Sequence, residues 1–138
     1  MERISVLGLD IGLRRIGVAG CDGLGMLATE LTTVIRASFK DDVEAFRKIV
    51  AQREANRLIV GIPYTMNGEV GFQAKQVMKY AKRLSNALEL PLEFVDERLT
   101  SIEAEEQLRE AKKFSHYNKG LIDKRAAAII LQQWLDNN

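Results

Sequence analysis

Ile4-Ser5-Val6-Leu7-Gly8-Leu9-Asp10-Ile11-Gly12-Leu13-Arg14-Arg15-Ile16-Gly17-Val18-Ala19-Gly20 holds two apolar runs divided by Gly12 and the Arg14-Arg15 pair. Ile4 to Asp10 is apolar and β-branched enough for a buried strand, and Gly12 marks a turn after it. Arg14 to Gly20 then predicts a second strand. Met26 to Thr33 predicts a third, reached through the Gly23 and Gly25 turn. Three strands at such short spacing make an antiparallel meander.

Working outward, Ser38 is an N-cap with Asp41 and Asp42 behind it, and Val43, Phe46, Ile49 and Val50 fall at helical spacing as far as about Ala55. Leu58 to Ile62 is a short apolar strand that stops at Pro63. Ala74, Val77, Met78, Ala81, Leu84 and Leu88 mark one face of a second helix, whose other face carries Lys75, Lys79, Lys82, Arg83 and Asn86. Leu92 to Val95 is a further strand. Thr100 with Glu103 forms a capping box that opens another helix, a basic loop from Lys112 to Gly120 follows, and a last helix runs from about Leu121 to Asp136. The order βββαβαβαα predicts a single α/β domain over residues 1–138. Its sheet is mixed: the antiparallel meander, then two strands returning through right-handed crossovers and so parallel, with helices on both faces.

The chain of 138 residues is long enough for a real core without staples. Its lone cysteine, Cys21, has no internal partner and suits a reducing compartment as a small buried hydrophobe. The longest apolar run, Ala126 to Leu131, is too short to span a membrane, and the N-terminal residues do not form a signal peptide, so the expectation is a cytoplasmic protein. A net charge of +1 argues at first against a nucleic-acid partner. That neutrality is an average. Residues 70 to 88 hold four basic side chains and no acid, residues 89 to 110 hold eight acids against two arginines, and residues 111 to 125 hold five basics against Asp123 alone. Charge runs of this length also occur as solvated helix faces, so they need a site beside them to carry meaning.

Candidate chemistry gathers at the strand ends. Asp10 closes the first strand, at the edge where open α/β sheets bind ligands; taken alone it reads rather as the cap of an Asx-type turn. Asp96 and Glu97 close the last strand. With strands 1, 4 and 5 parallel and adjacent, the topology brings positions 10 and 97 to one edge, where their repulsion requires a cation. Asp123, expected in the first turn of the final helix, reads alone as a favourable helix N-terminal charge and together with the others as a third carboxylate. Oxygen donors without Cys or paired His favour Mg²⁺ or Mn²⁺ over zinc, and such ions commonly hold substrate phosphates. Gly23-Leu24-Gly25-Met26-Leu27-Ala28 formally matches a dinucleotide-binding pattern, but it leads into a strand and offers no helix N-terminus to a pyrophosphate. His116 reads as a solvated loop residue and Trp134 as core.

Four segments carry a family resemblance. They are Gly8 to Ala19; Val60-Gly61-Ile62-Pro63 through Asn67-Gly68 and Gly71; Val95-Asp96-Glu97-Arg98-Leu99-Thr100-Ser101; and Ile122-Asp123 followed by Ala126 to Gln132. In that order they resemble the YqgF, or RuvX, family of Holliday-junction-resolvase-like nucleases, within the ribonuclease H-like superfamily. Tyr64-Thr65 departs from the family pattern. The resemblance implies a ribonuclease H-like sheet of three antiparallel and two parallel strands. It implies a divalent-metal cluster of Asp10, Glu97 and Asp123, with Asp96 a neighbour, and two Mg²⁺ or Mn²⁺ ions. It also implies processing of the ends of the small-subunit ribosomal RNA precursor, or resolution of four-way DNA junctions.

On that reading the phosphate-binding side chains are Arg15, Lys75, Lys79, Lys82, Arg83, Arg98, Lys112, Lys113, Lys119, Lys124 and Arg125. For Arg15 a solvated turn role stays open beside the phosphate role. Ribosomal particles are expected partners, and the protomer acts as a monomer or a homodimer. Two rivals remain: an ATP-binding fold of the actin and sugar-kinase type, which one unrepeated copy of the domain disfavours, and a non-catalytic nucleic-acid-binding module, which the intact acids disfavour.

Overall fold

The structure is a computed structural model and describes residues 5–63, 67–96 and 119–138. Its elements are β1 (Leu7–Ile11), β2 (Arg15–Cys21), β3 (Ala28–Ile35), α1 (Phe39–Arg53), β4 (Leu58–Ile62), α2 (Phe72–Leu88), β5 (Leu92–Asp96) and α3 (Lys119–Asp136). The sheet order is β3-β2-β1-β4-β5, antiparallel across β3, β2 and β1 and parallel across β1, β4 and β5. This is the expected mixed sheet, with β1 at its centre. The helix expected from Thr100 and the basic loop as far as residue 118 lie outside the described residues.

Alternation along the strands builds two cores. Leu7, Leu9 and Ile11 of β1, Ile16 and Val18 of β2, and Leu58, Val60 and Ile62 of β4 pack with Phe46 of α1 and Val77, Ala81 and Leu84 of α2. The opposite faces of the same strands present Ala19, Cys21 and Ile59 to Ala127, Ile130, Leu131 and Leu135 of α3. Helices thus cover both faces. Phe46 is fully buried, and each such large apolar side chain contributes about 1.5–3 kcal/mol relative to exposure. Cys21 is buried, as its reading as a small hydrophobe expects.

Several boundaries differ from the periodicity reading, three of them for a clear local reason. β3 starts at Ala28 rather than Met26 because Asp22 Oδ1 accepts from the Met26 N–H at 2.7 Å and the Leu27 N–H at 3.2 Å, which holds both residues in the turn. Those bonds pull the Asp22 carboxyl below its ordinary pKa. α2 begins at Phe72, whose ring stays exposed and so left no trace in the apolar pattern. α3 begins at Lys119 and takes in Gly120, since first-turn N–H groups need no partner within the helix and a glycine there costs little. Asp123 consequently sits in the second turn, not the first. Ser38 caps α1 as expected, its hydroxyl accepting from the Asp41 N–H at 3.1 Å.

Candidate active site

Asp10 lies next to the last residue of β1, half-buried, with Leu9 and Ile11 turned into the α1 and α2 core. Its side chain therefore belongs to the α3 side of the sheet. Its register partner across β2 is Gly17. A Cβ at Gly17 would stand 1.8 Å from the Asp123 carbonyl oxygen and 2.9 Å from the Lys124 nitrogen, so the α3 backbone rests directly on that glycine. Further along the helix, a Cβ at Gly8 would stand 2.6 Å from Leu131 Cβ. Two glycines on adjacent strands thus form the seat of α3, and the upper one sets Asp123 beside the strand pair that carries Asp10.

Arg15 opens β2 two residues before Gly17 and shares its face. Its Nε donates to Asp123 Oδ2 at 2.8 Å, with the side chains 33% and 22% exposed. Arg15 is thus engaged by a carboxylate of the protein's own, a partner that its place in the sequence does not show. It fixes the rotamer of Asp123, and charge-assisted bonds of this kind are roughly twice as strong as neutral ones. The helix dipole acts within the first turn, so Arg15 rather than the helix end holds the Asp123 charge.

The remaining expected residues divide clearly. Glu97, Arg98, Lys112 and Lys113 lie outside the described residues, as do His116 and Tyr64-Thr65, and Lys119 is placed only as the first residue of α3. Lys75, Lys79, Lys82 and Arg83 are exposed on α2. Arg83 also stacks its guanidinium 4.0 Å over the Phe39 ring, which holds it in place. Lys124 is half-buried, and Arg125 Nε lies 2.6 Å from Glu30 Oε1, an ion pair out of line for a hydrogen bond. The phosphate role read for Arg125 therefore meets a carboxylate already beside it.

Sequence reasoning missed a second polar group on the α1 and α2 side. Asp42, read as a first-turn helix charge, is buried and accepts from the Tyr80 hydroxyl at 2.7 Å and from the Ala37 N–H at 2.8 Å. Burial first, and the Asp42 carboxylate second, push the Tyr80 hydroxyl well above its ordinary pKa, so it stays protonated as the donor. The Tyr80 ring packs edge-on to Phe39 at 5.9 Å and carries the Arg36 guanidinium 4.2 Å above it. Arg36 Nη1 in turn donates to the Gly12 carbonyl at 2.6 Å. The one available signal was Tyr80 at three residues from Val77 on the buried face of α2.

As a metal seat, Asp10 and Asp123 offer hard oxygen donors with no sulfur or imidazole between them, a donor set that fits Mg²⁺ or Mn²⁺. Among the described residues no three ligating side chains gather at one point. The third expected member, Glu97, directly follows the last residue of β5 in sequence.

The sheet order, with its mixed strand directions and helices on both faces, is that of an α/β fold of the ribonuclease H-like class. The Thermus thermophilus RuvC structure in complex with Holliday junction substrate superposes with a TM-score of 0.58 at 11% identity, over 97% of this chain and 94% of that one. The fowlpox virus resolvase in complex with Holliday junction DNA gives 0.59 at 8% identity, over 97% and 98%. At such identities the likeness is one of fold.

The family model described as "RuvX: Holliday junction resolvase" matches residues 4–137, and the chain belongs to the RuvX family. Relatives from Crocosphaera subtropica (63% identical over 136 residues, 99% of this chain and 95% of the relative) and Synechocystis (57% over 135 residues, 98% and 89%) both carry the name "Putative pre-16S rRNA nuclease".

Proposed function

We propose that this chain is a metal-dependent nuclease that hydrolyses phosphodiester bonds at the ends of the 16S ribosomal RNA precursor. The observation that carries the reading is the seating of Asp123 on Gly17, directly across the β1–β2 register from Asp10. Two carboxylates from opposite ends of the chain are carried to one strand edge, where a divalent cation would add to the compensation that Arg15 gives Asp123. The names of the relatives supply the substrate. Asp10, Glu97 and Asp123 are the residues that would hold the metal, as Mg²⁺ or Mn²⁺ and as two ions. When bound, such ions stabilise negative charge on phosphate oxygens and lower the pKa of water. The protein's own part is placement. β1 presents Asp10 at the edge, the glycine seat fixes Asp123 there, Arg15 sets the Asp123 rotamer, and the lysines of α2 draw the phosphate backbone in.

The family description and the fold likeness favour a second substrate, the four-way DNA junction. Symmetric junction cleavage needs two such edges and therefore a dimer. A cleavage panel of precursor 16S rRNA, single-stranded RNA and four-way DNA junctions separates the readings. The expected outcome is cutting of the precursor with Mg²⁺ or Mn²⁺, loss of cutting with EDTA, and an Asp10→Asn protein that binds RNA without cutting it. Full activity of Asp10→Asn overturns the proposed site, and cutting of the junction alone moves the function to the second reading.

A further inference from the structure

Past Asp10, β1 runs into a cleft that the proposed chemistry leaves unused. Its volume is about 200 Å³. Clefts that take a whole small ligand measure roughly 300–1,000 Å³, so this one has room for a fragment the size of a single nucleobase. Ile11 and Val77, both buried, give it an apolar floor, and Leu13, 82% exposed, is an apolar wall already standing in water. Gln73 and Gln76, at the start of α2, add two amides, each able to donate and to accept. An apolar slot with amides at its rim is the chemistry that receives the face and the edge of a base.

The cleft also has a fixed cation. Arg36 lines it, tethered to the Gly12 carbonyl and laid on the Tyr80 ring, which Asp42 and Phe39 hold in turn. A guanidinium carries five N–H donors, and the Gly12 bond uses one of them. Position links the cleft to the acids. Ile11 and Gly12 follow Asp10 by one and two residues, about 3 to 7 Å along the strand. The cleft opens on the α1 and α2 side of the edge, whereas Asp10 and Asp123 belong to the α3 side. A strand crossing the edge would set its phosphate against the acids and drop the neighbouring base over the rim. Beyond Gln76, Lys79 and Arg83 follow three and seven residues along α2, so a basic ridge continues from the cleft.

We propose that this cleft is a subsite for one unpaired base of the RNA strand, next to the phosphate to be cut. The proposal rests on the nuclease reading and adds the residues that choose where a strand is held. The test measures affinity of Asp10→Asn protein for short single-stranded RNAs spanning the cut, each with one abasic position. Loss of a base contact worth about 1–3 kcal/mol corresponds to roughly 5- to 150-fold weaker binding, expected at one position beside the cut. With Gln73→Ala and Gln76→Ala added, the penalty at that position should shrink, since the amide part of the contact is already lost. Both glutamines are exposed, so the fold is not at risk. RNA cleavage by the wild type together with a flat abasic profile, or a penalty unchanged by the glutamine substitutions, overturns the subsite and leaves the nuclease standing. Failure to bind or cut any RNA overturns both.

Discussion

Asp123 shows how one side chain takes its role from a partner more than a hundred residues away. In the second turn of α3 it is past the reach of the helix end, and the Arg15 bond at 2.8 Å is what orients it. Groups that orient a metal ligand typically contribute 10- to 100-fold to affinity or activity. Arg15→Met is therefore expected to lower kcat by about that factor and to raise the Mg²⁺ concentration for half-maximal rate, with KM for RNA little changed. Arg15→Lys, which keeps the charge but not the planar fork, should recover part of the loss. A raised KM with unchanged kcat would instead make Arg15 a phosphate contact. In the sequence Arg15 reads as either a phosphate ligand or a turn residue, because nothing local shows that the last helix returns to it. Asp42 was hidden for a similar reason: its buried partner, Tyr80, comes from another helix.

At the scale of elements, the strands were legible because alternation and β-branching act locally, and β4 matches its sequence reading from Leu58 to Ile62. The ends were less so. β3 is displaced by an Asp22 side chain that captures two amides, and α3 starts earlier because its first turn tolerates Gly120. The seat of α3 was the least legible feature, since Gly8 and Gly17 look like ordinary strand glycines until a helix backbone is laid on them. Gly17→Ala puts a methyl group where the Asp123 carbonyl stands. Overpacking of this kind costs about 1–3 kcal/mol, and here the helix must lift to relieve it. The expected result is a lower Tm with near-native circular dichroism, and cleavage reduced at a temperature where the variant remains folded. Wild-type cleavage under those conditions would mean that the seat does not set the acid geometry.

For the molecule as a whole, a charge of +1 conceals a sequence sorted by sign. The cations of α2 are exposed, whereas Arg15 and Arg125 each sit beside a carboxylate of the protein's own. Binding should therefore depend on α2 more than on the β2–α3 side. Each phosphate contact on a single strand contributes about −0.7 to the slope of log K against log salt, so Lys79→Glu with Lys82→Glu should flatten that slope by about 1.4. An unchanged slope would take α2 out of the interface. The glycine seat has one more consequence, this time in the order of synthesis. β1, with Asp10, is made before α3, and residues 119 to 136 follow all five strands of the sheet. Until they dock, the face around Gly8, Gly17, Ala19 and Cys21 is uncovered and Asp123 is absent from the edge. On the proposed site, a growing chain has Asp10 in place before Asp123 can join it, and the edge stays incomplete until α3 docks.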